Sequence, residues 1–194
     1  MAENITSNNT VNILNNSRII YLSGFVDEEK TRNVVSNIIK FEIQEPTKDI
    51  LFYIDSGGGA VDSFIAIHDI MKMCRCDIAT VCVGKGMSSG MMLLMSGKKG
   101  KRFITPNSRV LIHPLSQFSL GKDTVKELGI RAEETRRLQS LFESLIIKYT
   151  NITKAQIKKY MTFDSFLDAK ECLKMGIVDH IITKSNILYD NINI

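Results

Sequence analysis

Ser88 stands where a short apolar run meets a helix-forming one, a position suited to a nucleophile. The segment reads Val83-Gly84-Lys85-Gly86-Met87-Ser88-Ser89-Gly90. Ahead of it, Ala79-Thr80-Val81-Cys82-Val83 is apolar and β-branched, as a buried strand requires. Behind it, Met91-Met92-Leu93-Leu94-Met95 runs to Gly97 without a breaker, as a buried helix requires. A hydroxyl at such a junction lies beside unpaired helix N–H groups and the positive end of the helix dipole. Negative charge developing on a carbonyl under attack would be stabilised there. A histidine and an aspartate downstream would complete a Ser-His-Asp arrangement. Small residues at a strand–helix turn also serve close packing, and Ser88 or Ser89 could be an ordinary N-cap.

Of the three histidines, His113 is the candidate base. It follows Arg109-Val110-Leu111-Ile112 and precedes Pro114, just past a buried strand's end, where an α/β domain exposes working residues. His68 falls within an amphipathic helical pattern and reads as structural, and His180, in the last strand, reads as an ordinary surface or edge residue. Asp55-Ser56-Gly57-Gly58-Gly59 is a second glycine cluster after a strand. It fits neither G-x-x-x-x-G-K-[ST] nor G-x-G-x-x-G, so a phosphate cradle is a poor reading. Bare backbone that can approach a carbonyl oxygen suits an oxyanion hole better, and a tight turn is the plainer alternative.

These residues need a scaffold. A chain of 194 residues supports one core, and 44% hydrophobic with 24% charged residues is globular rather than disordered composition. No apolar run has the length of a membrane span, and the N-terminus has no secretory leader pattern, so a cytoplasmic protein is expected. The net charge of +4 is mild, and its densest piece, Lys98-Lys99-Gly100-Lys101-Arg102, reads as a solvated turn rather than a nucleic-acid patch. Cys74 and Cys76 are too close for the usual zinc spacing, and with Cys82 and Cys172 they read as reduced thiols. No metal or organic cofactor is called for.

Residues 1–17, rich in Asn, Ser and Thr, are expected to be flexible, residues 18–183 to form one domain, and 184–194 to be a loose tail. Strands are expected at Arg18–Leu22, Ile50–Ile54, Ala79–Val83, Arg102–Ile104, Arg109–Ile112 and Ile177–Ile182, with helices opening at Asp27, near Val61 and after Ser88. This alternation predicts an α/β domain with a largely parallel sheet. From Asp123 to about Thr150 one long helical pattern carries the stripe Leu138, Leu141, Phe142, Leu145, Ile146 and Tyr149. A helix that long projects from so small a domain and needs a partner for its stripe, which implies a homo-oligomer, unless it folds back on its own core.

Several stretches together resemble the Clp protease proteolytic subunit family. Ile54-Asp55-Ser56-Gly57-Gly58-Gly59 is similar to that family's Asn-Ser-Pro-Gly-Gly turn, and Gly86-Met87-Ser88-Ser89-Gly90 to its nucleophile segment. Ser96 to His113 is close to its signature leading to the histidine, Asp164-Ser165-Phe166-Leu167-Asp168-Ala169 resembles its aspartate segment, and Gly176-Ile177-Val178-Asp179 its closing strand. The resemblance implies a crotonase-like fold of repeated β-β-α units with a long projecting handle helix. It implies a serine endopeptidase with Ser88 as nucleophile, His113 as general base, Asp164 orienting that base, and the backbone N–H groups of Gly58 and Ser89 as oxyanion donors. It also implies heptameric rings stacked as a tetradecamer, an AAA+ Clp ATPase that delivers unfolded polypeptide, and no cofactor.

The chain departs from the family pattern at Pro114-Leu115-Ser116-Gln117-Phe118, where a Gly-Gly strand is usual, and at Phe163, where an arginine is usual. Those departures leave a second reading, a weakly active or inactive structural subunit of a ring mixed with a second subunit of the same type. A third reading, an acyl-CoA hydratase or isomerase on the same fold, is opposed by the serine–histidine pair, because such enzymes rely on carboxylates.

Overall fold

The computed structural model describes residues 17–116 and 124–193. Apart from Ser17, the segment expected to be flexible lies outside the described residues, as do the expected helix start at Asp123 and the final Ile194. The strands are β1 (Ile19–Val26), β2 (Ile50–Gly59), β3 (Ile78–Met87), β4 (Arg102–Ile104), β5 (Arg109–Ile112), β6 (Ser165–Leu167) and β7 (His180–Ile181). The helices are α1 (Glu28–Gln44), α2 (Val61–Met73), α3 (Ser89–Met95), α4 (Val125–Tyr149), α5 (Lys154–Tyr160), α6 (Ala169–Lys174) and α7 (Ser185–Tyr189). Strands β1-β2-β3-β4-β7 lie side by side and all pair in parallel. The expected α/β class with a parallel-dominated sheet is what the chain forms.

Local chemistry explains where the helices begin. The Asp27 carboxylate accepts the Lys30 N–H, and Glu28 and Glu29 place negative charge in the first turn of α1. Capping boxes open α4 (Thr124 with Glu127), α5 (Thr153 with Gln156) and α6 (Asp168 with Glu171). Val34, Ile38 and Phe41 recur at helical spacing on α1 and are buried against the sheet. Helix α3 is buried along its whole length. In α4, Phe142 and Ile146 are the buried residues, while Val125, Leu128 and Ile130 at its start are exposed.

Three strands run further than their apolar cores suggest, β2 among them, which continues from Ile54 to Gly59. β1 continues through Ser23 and Gly24 with a bulge between Ser23 and Phe25, and β3 continues to Met87. The glycine-rich ends stay extended because they pair with one another: Ser56 of β2 stands opposite Gly86 of β3. The last strand is shorter than expected, His180–Ile181 in place of Ile177–Ile182.

Alternation along the strands splits the core in two. Ile50, Phe52, Ile54, Ile78 and Cys82 face the main cluster under α1, α2 and α3. Leu51, Ala79, Val81 and Phe103 face the other way and meet Leu188 of α7. The expected loose tail is therefore corrected: Leu188 is 4% exposed, the Asp49 N–H donates to Asn193 O, and the Asn193 N–H donates to the Asp49 carboxylate. A parallel sheet buries both faces, and with the crossover helices on one side the tail covers apolar side chains on the other.

The C-terminal third is tied to the sheet by one buried arginine. Arg102, 1% exposed, donates from Nε and Nη2 to both Asp179 oxygens (2.8 and 2.6 Å) and from Nη1 to Tyr149 O at the end of α4 (2.8 Å). Burial works against the Asp179 carboxylate, but the Arg102 hydrogen bonds and charge outweigh it and hold the carboxyl below its ordinary value. The group's contribution to stability is therefore complete above its unfolded pKa, about 4, and is lost as pH falls through the lower folded value. Asp179→Asn leaves the guanidinium buried and half-partnered. We expect it to cost about 3–5 kcal/mol in urea unfolding at pH 7, with the gap to wild type narrowing below about pH 4.

Candidate active site

The site is made by a strand that changes partners. Thr80 to Cys82 of β3 pair with Arg102 to Ile104 of β4, whereas Lys85 to Met87 pair with Arg109 to Leu111 of β5. Gly84, with φ +71°, lies between the two pairings. β5 in turn pairs antiparallel with β6.

Ser88 follows directly, with φ 54° and ψ −122°. Arg18 is the other non-glycine residue with positive φ among the described residues. Such a conformation costs of order 1–3 kcal/mol and persists only where the surroundings impose it. Here the Ser88 N–H donates to Leu111 O of β5 (3.0 Å), and Ser88 O accepts the Met92 N–H of α3 (3.1 Å). The serine is clamped between the strand before His113 and the helix it opens. Gly86-Met87-Ser88-Ser89-Gly90 has the G-x-S-x-G spacing of a nucleophile elbow, in the strand–turn–helix setting which that motif requires. Both glycines are close approaches. A Cβ on Gly86 would lie 3.2 Å from Cys82 Sγ, and one on Gly90 3.0 Å from Ser56 O.

His113 comes one residue after β5 and is half-buried. It shares with Ser88 a narrow pocket walled by Met92, Leu115, Phe142, Ile146 and Met161. Asp164 precedes β6 and is exposed. The β5–β6 ladder pairs Ile112 with Ser165, so one further antiparallel step sets His113 opposite Asp164. One pocket thus holds Ser88 and His113, and the neighbouring ladder position holds Asp164.

The glycine turn of β2 closes over the serine. Gly58 has φ +99°, and a Cβ there would lie 2.7 Å from Ser88 Cβ and 3.3 Å from Ser88 Oγ. Its amide, however, is engaged: the Gly58 N–H donates to Ser56 Oγ (3.0 Å). That hydrogen bond occupies the amide expected to serve as an oxyanion donor. Ser89 opens α3, so its N–H is among the first-turn amides without an intrahelical acceptor. Its side chain is 2% exposed, and its Oγ is the buried side-chain polar atom without a partner among the described residues.

The other polar candidates have structural roles. Ser96 Oγ donates to Met92 O (2.6 Å), so His68 Nδ1, 2.8 Å away, must be the donor to Ser96 Oγ. Burial first, and then the positive charge of Lys72, push the His68 pKa down. His180 stacks on Phe103, with ring centroids 5.2 Å apart. Burial pushes the Cys82 and Cys172 thiols up to about 12, which leaves them un-ionised and poor nucleophiles.

A family model described as Clp protease matches residues 2–185. The ATP-dependent Clp protease proteolytic subunit 1 of Bifidobacterium longum is 38% identical over 166 residues, which cover 85% of this chain and 70% of that protein. A match spanning nearly the whole sequence, over a sheet that brings the serine elbow and the histidine into one pocket, places this chain in the Clp protease family.

Proposed function

We propose that the chain is a serine endopeptidase, the proteolytic subunit of an ATP-dependent Clp protease. The observation that carries this reading is the Ser88 elbow, whose left-handed backbone is held on β5 at Leu111, two residues before His113. Ser88 Oγ attacks the peptide carbonyl, His113 takes the hydroxyl proton and later passes it to the leaving amine, and Asp164 holds the imidazole in the required tautomer. The Ser89 N–H, at the start of α3, stabilises the tetrahedral oxyanion together with an amide of the β2 glycine turn. The apolar walls at Met92, Phe142, Ile146 and Met161 favour a hydrophobic side chain next to the scissile bond.

The relative's name describes a subunit of an ATP-dependent protease, which supports an AAA+ unfoldase as the partner that uses ATP. In this reading the subunits assemble as heptameric rings stacked into a tetradecamer, with the exposed apolar start of α4 contributing to contacts between copies, and the assembly works in the cytoplasm. Among the described residues, no helix is long and apolar enough to cross a membrane. The alternative of a silent structural subunit is not favoured by the family match or by the relative's name.

Ser88→Ala is expected to lower peptide hydrolysis by on the order of 10⁶-fold, to background, and to abolish labelling by a fluorophosphonate probe. Undiminished labelling of that variant would remove the assignment. Gly58→Ala places a methyl where Ser88 already sits, at a φ that alanine resists, and is expected to cut kcat/KM on the order of 10²-fold by displacing the serine. A steady-state assay with a fluorogenic peptide reads this directly, and an unaltered rate would mean that the turn does not constrain Ser88.

A further inference from the structure

Ser56 is fully buried and meets β1, β3 and the start of α3. Its backbone pairs with Gly86 on β3, and its carbonyl oxygen lies where a Cβ on Gly90 of α3 would come within 3.0 Å. Its hydroxyl has one proton and uses it on Gly24 O in the β1 bulge, 2.6 Å away. A lone pair of the same oxygen accepts the Gly58 N–H at 3.0 Å. Rotating the hydroxyl would orphan both partners, and a buried unsatisfied polar group is costly, so its orientation is fixed.

The consequence falls on the turn that closes over the serine. Gly58 holds φ +99°, its α-carbon is packed against Ser88, and its own N–H is turned into Ser56. The next amide along, that of Gly59, belongs to the peptide that follows this α-carbon. Gly59 is itself held against β1, where a Cβ would lie 2.2 Å from Val26 O, and the Ala60 N–H donates to that same oxygen (3.0 Å). The turn is therefore fixed on both sides of the Gly58–Gly59 peptide: by Ser56 before it and by β1 after it.

We propose that Ser56 is a positioning residue for the peptidase: its hydroxyl locks the Gly57–Gly58 peptide so that the Gly58–Gly59 peptide presents its N–H at the Ser88 oxyanion site. The proposal rests on the peptidase reading, and it separates two roles within one glycine cluster. Gly58 supplies the conformation and Gly59 the donor, while Ser56 decides between them without touching substrate.

The test uses the full-length assembled protein. Ser56→Ala is expected to lower kcat about 10- to 100-fold, less than the roughly 10²–10³-fold for outright loss of one oxyanion donor, while KM for a fluorogenic peptide is unchanged. Affinity for a peptide boronate, which forms a tetrahedral adduct on the serine, should fall by the same factor as kcat/KM. Ser56→Cys keeps a weak donor and acceptor of similar size and should recover part of the loss, which guards against reading misfolding as a positioning effect. A kcat equal to wild type in Ser56→Ala overturns the proposal, and so does an equal fall of boronate and ground-state peptide affinity. A crystal structure of Ser56→Ala in which the Gly58 amide keeps its orientation overturns it whatever the activity. Failure of the peptidase reading is a different result: wild-type protein left unlabelled at Ser88 by the fluorophosphonate. In that event the orientation of the Gly58 amide in the Ser56→Ala crystal structure still decides whether Ser56 sets the turn.

Discussion

The arrangement depends on β3 having two partners along one edge. A strand that paired with β4 to its end would carry Ser88 out over the sheet, away from β5. The glycines at 84 and 86 let the backbone bend after Cys82 and pair with Arg109 to Leu111 instead. The Ser88 N–H then continues that pairing onto Leu111 O, and the strain of a left-handed serine is offset by hydrogen bonds on both sides of it. His113 follows from the same ladder, because it lies two residues beyond Leu111, and Asp164 follows from the β5–β6 register. Ser88 and His113, from separate parts of the chain, are brought into one pocket by one set of backbone hydrogen bonds.

The surroundings of the serine are apolar and closely packed. α3 is buried throughout, and α4 contributes Phe142 and Ile146 to both the core and the pocket wall. A low-dielectric floor strengthens any amide dipole aimed at the reacting oxygen. The same burial neutralises competing groups. The Cys82 and Cys172 thiols stay protonated, and His68 spends its Nδ1–H on Ser96. Among the buried side chains of the described residues, Ser89 keeps an unpartnered oxygen, one position after Ser88.

Much of this was legible in the residues, and the exceptions share a cause. Ser88 and His113 were visible because each sits at the end of a short apolar run, where local pattern is informative. The helix start at Asp27 was visible because a cap is a local device. The ends of β1 and β3 were read too short because glycine signals a turn locally, whereas here Gly86 is extended opposite Ser56, 30 positions earlier in the sequence. The tail was read as loose because Ile187, Leu188 and Tyr189 form too short a run to show a period, and what orders them is the apolar face of a distant sheet. Gly58 was assigned the donor role from its place in a motif; that its amide is already taken by Ser56 is a matter of hydrogen-bond direction, which residue types do not encode.

The buried guanidinium of Arg102 meets its carboxylate across 77 residues of chain. Synthesis runs from the N-terminus, so β4 leaves the ribosome well before Asp179 exists. Until then the arginine at the sheet's open margin has to stay solvated, and β4 lacks the neighbour that β7 will become. The nascent polypeptide therefore cannot seal this flank, or cover the sheet's far face with α7, before Asp179, β7 and α7 have emerged. The domain therefore closes only once Asp179 and β7 are present, and the serine elbow is assembled on a sheet whose last margin is still waiting.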